Sequence, residues 1–176
     1  IYLCYGDRRI LEDNYESMER YMAFIAQIAS QDHIRAHPSL DGWKGFGDWL
    51  AFDGSPQDGS GATPHDLIGT AFYAHSADLM ARISKILGKN VQAEKYHVLR
   101  QKIGEAFTQR FVTPVGLLVS RTQTASVLAL QFNLVDGPAR ESAFDILVRD
   151  IELRENHLST GFTGTPYLLG VLEAGG

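Results

Sequence analysis

The chain has 176 residues, which is room for one domain with its own core or for a section of a larger one. Hydrophobic residues make up 44% and charged residues 21%, close to the globular average, so intrinsic disorder is excluded. Sixteen Lys+Arg against 21 Asp+Glu give a net charge of −5, so neither nucleic acid nor an anionic membrane, each of which needs a cationic face, is expected as a partner.

Cys4 is the single cysteine, so no internal disulfide and no cysteine-based zinc site can form. No apolar run approaches the ~20 residues of a membrane span. No signal peptide is visible, which leans toward a cytoplasmic location and leaves the compartment open. The chain opens on Ile1-Tyr2-Leu3 without an initiator Met and stops at Glu173-Ala174-Gly175-Gly176, so both ends read as cut. Residues 1–176 read as one partial domain with no linker and no second domain.

In chain order, residues 8–30 predict an amphipathic helix, with Leu11, Tyr15, Met18, Met22, Ile25 and Ala29 on one stripe and Asp7 as N-cap. Residues 38–63 hold six glycines and two prolines with Trp43, Phe46, Trp49 and Phe52 among them. A passive linker would not carry two tryptophans, so an ordered functional loop is predicted, its exposed tip at 55–61. A second helix follows, with Thr63 as cap, Pro64 at its first position and a stripe of Ile68, Phe72, His75, Leu79, Ile83 and Ile86. Gly88 ends it, and Asn90 opens a third helix running to about Val112 with Tyr96, Leu99, Ile103, Phe107 and Phe111 buried. Val115 to Ser120 reads as a short β-like lead-in. Thr122 to Val135 is apolar nearly all round, the mark of a helix enclosed by others. Asp136-Gly137-Pro138 breaks the chain, Ala139 to about Glu155 is amphipathic, and Pro166 to Ala174 forms a last apolar helix.

The prediction is all-α. Helices joined by Gly88-Lys89-Asn90 and by Asp136-Gly137-Pro138 form tight hairpins, whereas the joins at 31–63, 113–121 and 156–165 are long. In a row of antiparallel helices alternate joins fall on one end, so the three long joins should share a face. Each leads into one of the more apolar helices, which places inner helices around a core and outer helices about them. A binding site is expected on the long-join face.

On that face, Gly45-Phe46-Gly47-Asp48-Trp49-Leu50 is the most informative stretch. An indole packs on the apolar face of a pyranose while a neighbouring carboxylate accepts from its hydroxyls. The competing reading makes Trp49 a plug and Asp48 a turn cap, and on composition alone the two stand level. Arg121-Thr122-Gln123-Thr124 and Ser159 to Pro166 open two helices and read first as caps, with Gly161 and Gly164 allowing close backbone approach. His33 and His37, with Asp32 and Asp41 nearby, have metal-like spacing. Pro38 disrupts the helix that this spacing needs, so no metal centre is expected. His75 reads as a core or rim histidine, and the charge run 149–155 as a solvated helix face. With no phosphate loop, nucleophile elbow or zinc helix motif, no cofactor is expected.

Five segments then match one family in order and at family-like spacing: Tyr5 to Tyr15, Gly47-Asp48-Trp49-Leu50, Leu67 to Tyr73, Thr122-Gln123-Thr124-Ala125, and His157 to Leu169. Together they resemble bacterial α-L-rhamnosidases of glycoside hydrolase family 78, over almost the whole chain. Residues 31–44 and 54–62 depart from the pattern. The resemblance implies antiparallel helical hairpins forming part of a six-hairpin (α/α) toroid. It also implies inverting hydrolysis of terminal α-L-rhamnosyl groups by an acid and a base carboxylate ~6.5–9.5 Å apart. Both catalytic carboxylates are expected outside this chain, the acid before Ile1 and the base after Gly176. What carries over is Trp49 as the aromatic wall of the rhamnose subsite, with Asp48 as its orienting neighbour. The implied ligand is a rhamnosyl glycoside or oligosaccharide. A partial toroid should also self-associate through its exposed terminal helices. The alternative is a carbohydrate-binding or structural helical-hairpin module without catalysis.

Overall fold

A computed structural model describes residues 1–29, 32–35, 46–54 and 59–175. His37, Pro38, Asp41 and Trp43, and most of the expected loop tip at 55–61, lie outside the described residues. Seven helices follow one another: α1 (Tyr2–Tyr5), α2 (Arg9–Ile28), α3 (His65–Ile86), α4 (Asn90–Phe111), α5 (Gln123–Gln131), α6 (Gly137–Leu153) and α7 (Thr165–Gly175). Among the described residues the only β pairing is a single bridge between Val112 and Leu118, where the lead-in was expected.

The short turns close hairpins. α3 packs on α4 across Leu87-Gly88-Lys89, and α5 packs on α6 across 132–136. α3 also touches α5, and α5 touches α7, so the three helices that follow the long joins form an inner row. α5 is its centre: every residue from Gln123 to Leu130 is buried. Fully burying each Leu or Val there contributes about 1.5–3 kcal/mol. An aromatic seam ties the row together, with His75 of α3 stacked on Phe132 at 4.2 Å, and Phe72 and Tyr167 set edge-on to the same ring at 5.3 and 5.2 Å.

Local differences from the sequence reading have physical causes. One turn of helix, α1, precedes the expected start and is closed by Gly6 at φ 69°. Asp7 sits one residue before the α2 N-cap, yet its carboxylate still accepts the Arg9 N–H at 3.0 Å. Pro64, not Thr63, is the α3 N-cap; the Thr63 hydroxyl is instead buried against that of Thr122 at 2.7 Å. Of the predicted α3 stripe only Ile68 is buried; the deepest face holds it with Leu67, Thr70, Ala71, Tyr73, Ala74, Ala77, Met80 and Ser84. Small residues let neighbouring helices approach closely, which displaces Phe72, His75 and Ile83 to the seams and leaves Leu79 exposed. The two polar members of that face are paired: Thr70 accepts the Arg35 N–H, and Ser84 shares a 2.6 Å hydrogen bond with Tyr15. α5 stops at Gln131 rather than Val135, because Asn133 turns left-handed at φ 50°.

Candidate functional site: an aromatic ledge on a buried carboxylate

The long joins converge. Asp48, on the first of them, is wholly buried. Its Oδ2 accepts from the Thr124 hydroxyl and from the Gly161 N–H at 2.7 Å. Its Oδ1 accepts from the Thr163 N–H at 2.8 Å and the Thr163 hydroxyl at 2.6 Å. A carboxylate offers about four lone-pair positions, and all four are filled by protein donors. Thr124 lies in the first turn of α5, and Gly161 and Thr163 immediately precede α7, so the negative charge sits by the electropositive ends of two inner helices.

The main chain around Asp48 is held as firmly. Its carbonyl accepts the N–H groups of Ala51 and Gly61, and Leu50 donates to the Gly59 carbonyl. Segments 49–52 and 159–162 are cross-bonded by Phe52 N–H to Ser159 C=O and Phe162 N–H to Trp49 C=O, at 3.0 and 2.9 Å. Gly47 and Leu50 both adopt left-handed conformations, at φ 61° and 62°. For leucine this costs on the order of 1–2 kcal/mol, which the surrounding bonds must hold in place. Gly161 is required by contact: a Cβ there would lie 2.6 Å from the Ala51 nitrogen, 2.7 Å from the Asp48 carbonyl oxygen and closer still to that of Trp49.

On this base stands Trp49, 45% exposed. Its indole stacks on Phe162 at 5.4 Å with 29° between the planes, and Phe46 lies tilted at 6.2 Å. Phe46, Leu50 and Phe52 are each more than half exposed, so they do not enclose Trp49 as a plug would require. Beside Phe162 opens an apolar cleft of about 480 Å³ lined by Leu50, Phe52, Leu158 and Pro166.

The join at 113–121 arrives through a hydroxyl chain that starts at Ser120. Thr122 caps α5 by accepting the Ala125 N–H at 3.2 Å and also meets Thr63 and Ser120. The capping reading of that segment therefore holds. Gln123 goes further than a cap: fully buried, it donates to Asp150 and to the His157 carbonyl and accepts the Ser159 N–H at 2.8 Å. Asp150 is thus half-buried rather than part of a freely solvated face. The Gln123 and Phe162 roles were missed in the sequence. For Phe162 a signal existed, an aromatic residue set between glycine and threonine in a polar join, as Trp49 is set after Gly47-Asp48. His75 is half-buried at the rim of the seam, and burial holds its imidazole below the usual histidine range. No group of three metal-ligating side chains occurs among the described residues, and none of their helices is long and apolar enough to cross a membrane.

All of residues 1–176 match the bacterial alpha-L-rhamnosidase 6 hairpin glycosidase domain. An alpha-L-rhamnosidase of Formosa agariphila is 40% identical over 100% of this chain and 18% of its own length. One of Streptomyces avermitilis is 40% identical over 98% of the chain and 15% of its own. The crystal structure of the Streptomyces avermitilis enzyme complexed with L-rhamnose superposes with a TM-score of 0.85, covering 99% of this chain and 16% of that one. The alpha-L-rhamnosidase of Aspergillus terreus gives 0.84 at 26% identity, covering 97% and 19%. The chain thus spans less than a fifth of the length of these relatives. By its sequence over the whole match and by its helical hairpins, the chain belongs to the bacterial α-L-rhamnosidase six-hairpin glycosidase family.

Proposed function

We propose that the chain is a section of an inverting glycoside hydrolase that removes terminal α-L-rhamnose, and that its contribution is the substrate platform rather than the reacting acids. Residues 1–176 then form part of one toroid. The carboxylic acid that protonates the leaving oxygen and the carboxylate that activates water are supplied from outside them. The observation that carries the reading is the half-exposed indole of Trp49, mounted on the face where the three long joins meet. L-Rhamnose is a deoxy sugar with a methyl group and an apolar ring face, and an indole on a fixed base removes that face from water without ordering a flexible side chain. The ligand is a rhamnosyl glycoside or oligosaccharide. Self-association through the first and last helices belongs to the same reading, on the strong exposure of Leu3 and Leu169.

The test is Trp49→Ala in the protein restored to full length, with L-rhamnose affinity by calorimetry and the melting temperature read together. The expected result is L-rhamnose affinity weakened about ten-fold, with a stability change of about 1–2 kcal/mol, below the roughly 3–5 kcal/mol of a buried aromatic truncation because the ring is half exposed. Intact sugar binding with a large drop in stability would make Trp49 a core residue and remove the platform.

A further inference from the structure

We propose that Asp48 is a positioning residue that touches no sugar: its carboxylate latches Trp49 and Phe162 into one fixed aromatic stack. The inference rests on the platform reading of Trp49. A sugar hydroxyl needs a free lone pair and an open approach, and Asp48 has neither, being wholly buried with four protein donors on its two oxygens. The same saturation removes it as a proton donor or acceptor at a glycosidic bond.

What those donors are attached to gives the role. Asp48 is the neighbour of Trp49 in the chain, and Gly161 and Thr163 bracket Phe162. One oxygen holds the N–H before the phenyl ring and the other holds the N–H after it. The Phe162 N–H then bonds the Trp49 carbonyl, closing a loop of contacts in which both rings hang from one carboxylate. The 5.4 Å stack of indole on phenyl is the outcome. The Thr124 hydroxyl, from the first turn of α5, fixes the latch to that helix. Strained Leu50, on the other side of Trp49, is the kind of residue that persists only where its surroundings over-determine it.

The chain has two tryptophans, so in a Trp43→Phe background the fluorescence reports Trp49 alone. Asp48→Asn leaves two N–H groups and two hydroxyls facing one acceptor oxygen and an amide. Thr124→Val with Thr163→Val removes both hydroxyls and keeps the charge. The expected result for each is helical circular dichroism unchanged and acrylamide quenching of Trp49 raised, by about two-fold if the 45% exposed ring becomes fully accessible. Unchanged quenching in folded Asp48→Asn overturns the latch. Should Asp48→Asn lose its helical signal, unchanged quenching in the folded double valine variant overturns it instead. A second arm uses L-rhamnose: in a Trp49→Ala background Asp48→Asn should cost no further affinity, whereas an additive loss would make Asp48 a sugar contact and refute the proposal. A parent protein that binds no L-rhamnose would refute the platform reading alone, and the quenching would still decide the latch.

Discussion

Replacing Gly161 by alanine is the smallest change that addresses the convergence of the joins. The added methyl would fall 2.6 Å from the Ala51 nitrogen and 2.7 Å from the Asp48 carbonyl oxygen, both main-chain atoms that cannot swing aside. Segments 46–54 and 159–164 must therefore part. That breaks the Phe162 N–H bond to Trp49 C=O and lengthens the Gly161 N–H bond to the Asp48 carboxylate. A neutral hydrogen bond contributes about 1 kcal/mol and one to a charged group about 1.5–3. Alanine recovers about 0.4–1 kcal/mol through the unfolded state, leaving a net loss of about 2–3 kcal/mol. In a chain of this size that is a fall of roughly 5–10 °C in melting temperature. The assay is thermal and urea unfolding followed by circular dichroism. The internal control is Gly170→Ala in α7, where nothing lies within 4 Å of the new methyl and a gain of about 0.5–1 kcal/mol is expected. A Gly161→Ala protein within 0.5 kcal/mol of the parent, about the spread of neutral surface changes, would show that the close approach of the two joins does not hold the site together.

Three further outcomes are expected. The His75 imidazole, kept below the usual range by burial against Phe132, resists the proton that the unfolded chain takes up near pH 6.5, so its share of stability is present above that pH and is lost as pH falls. Urea midpoints of the parent should therefore fall more steeply from pH 8 to pH 5 than those of His75→Gln, and parallel profiles would sink the argument. The isolated chain should not turn over an aryl α-L-rhamnoside, and turnover abolished by Asp48→Asn would give Asp48 a catalytic role and contradict both proposals. Light scattering at rising concentration should show species larger than one chain through the faces bearing Leu3 and Leu169; a strict monomer would refute self-association.

The fold was largely legible because its signals are periodic and local. The tight turns at Gly88 and Asp136 and the apolar helix after Thr122 placed the hairpins, and the position of the long joins placed the inner row. What the pattern hid was rotation. Predicting the α3 face from its largest residues put Phe72 and His75 inward, whereas the structure buries Thr70, Ala74, Ala77 and Ser84 completely and leaves Phe72 and His75 half-buried. Size marks hydrophobic payload, but proximity between helices favours small side chains. At the site, Trp49 and Asp48 were legible as a pair, and the structure separates their geometry, one half exposed and the other enclosed. The donors that enclose Asp48 come from residues 76 and 113–115 positions away. No spacing rule reaches that far. Gln123 was unreadable for a related reason: a polar residue opening a helix looks the same whether water or Asp150, His157 and Ser159 satisfy it.

The most direct test of the central claim is a crystal structure of the full-length protein containing this chain with L-rhamnose bound. The account predicts the sugar ring packed within about 4 Å of the Trp49 indole, with Asp48 still enclosed by Thr124, Gly161 and Thr163 and making no bond to the ligand. L-Rhamnose seated away from Trp49, or held by the Asp48 carboxylate, would contradict it.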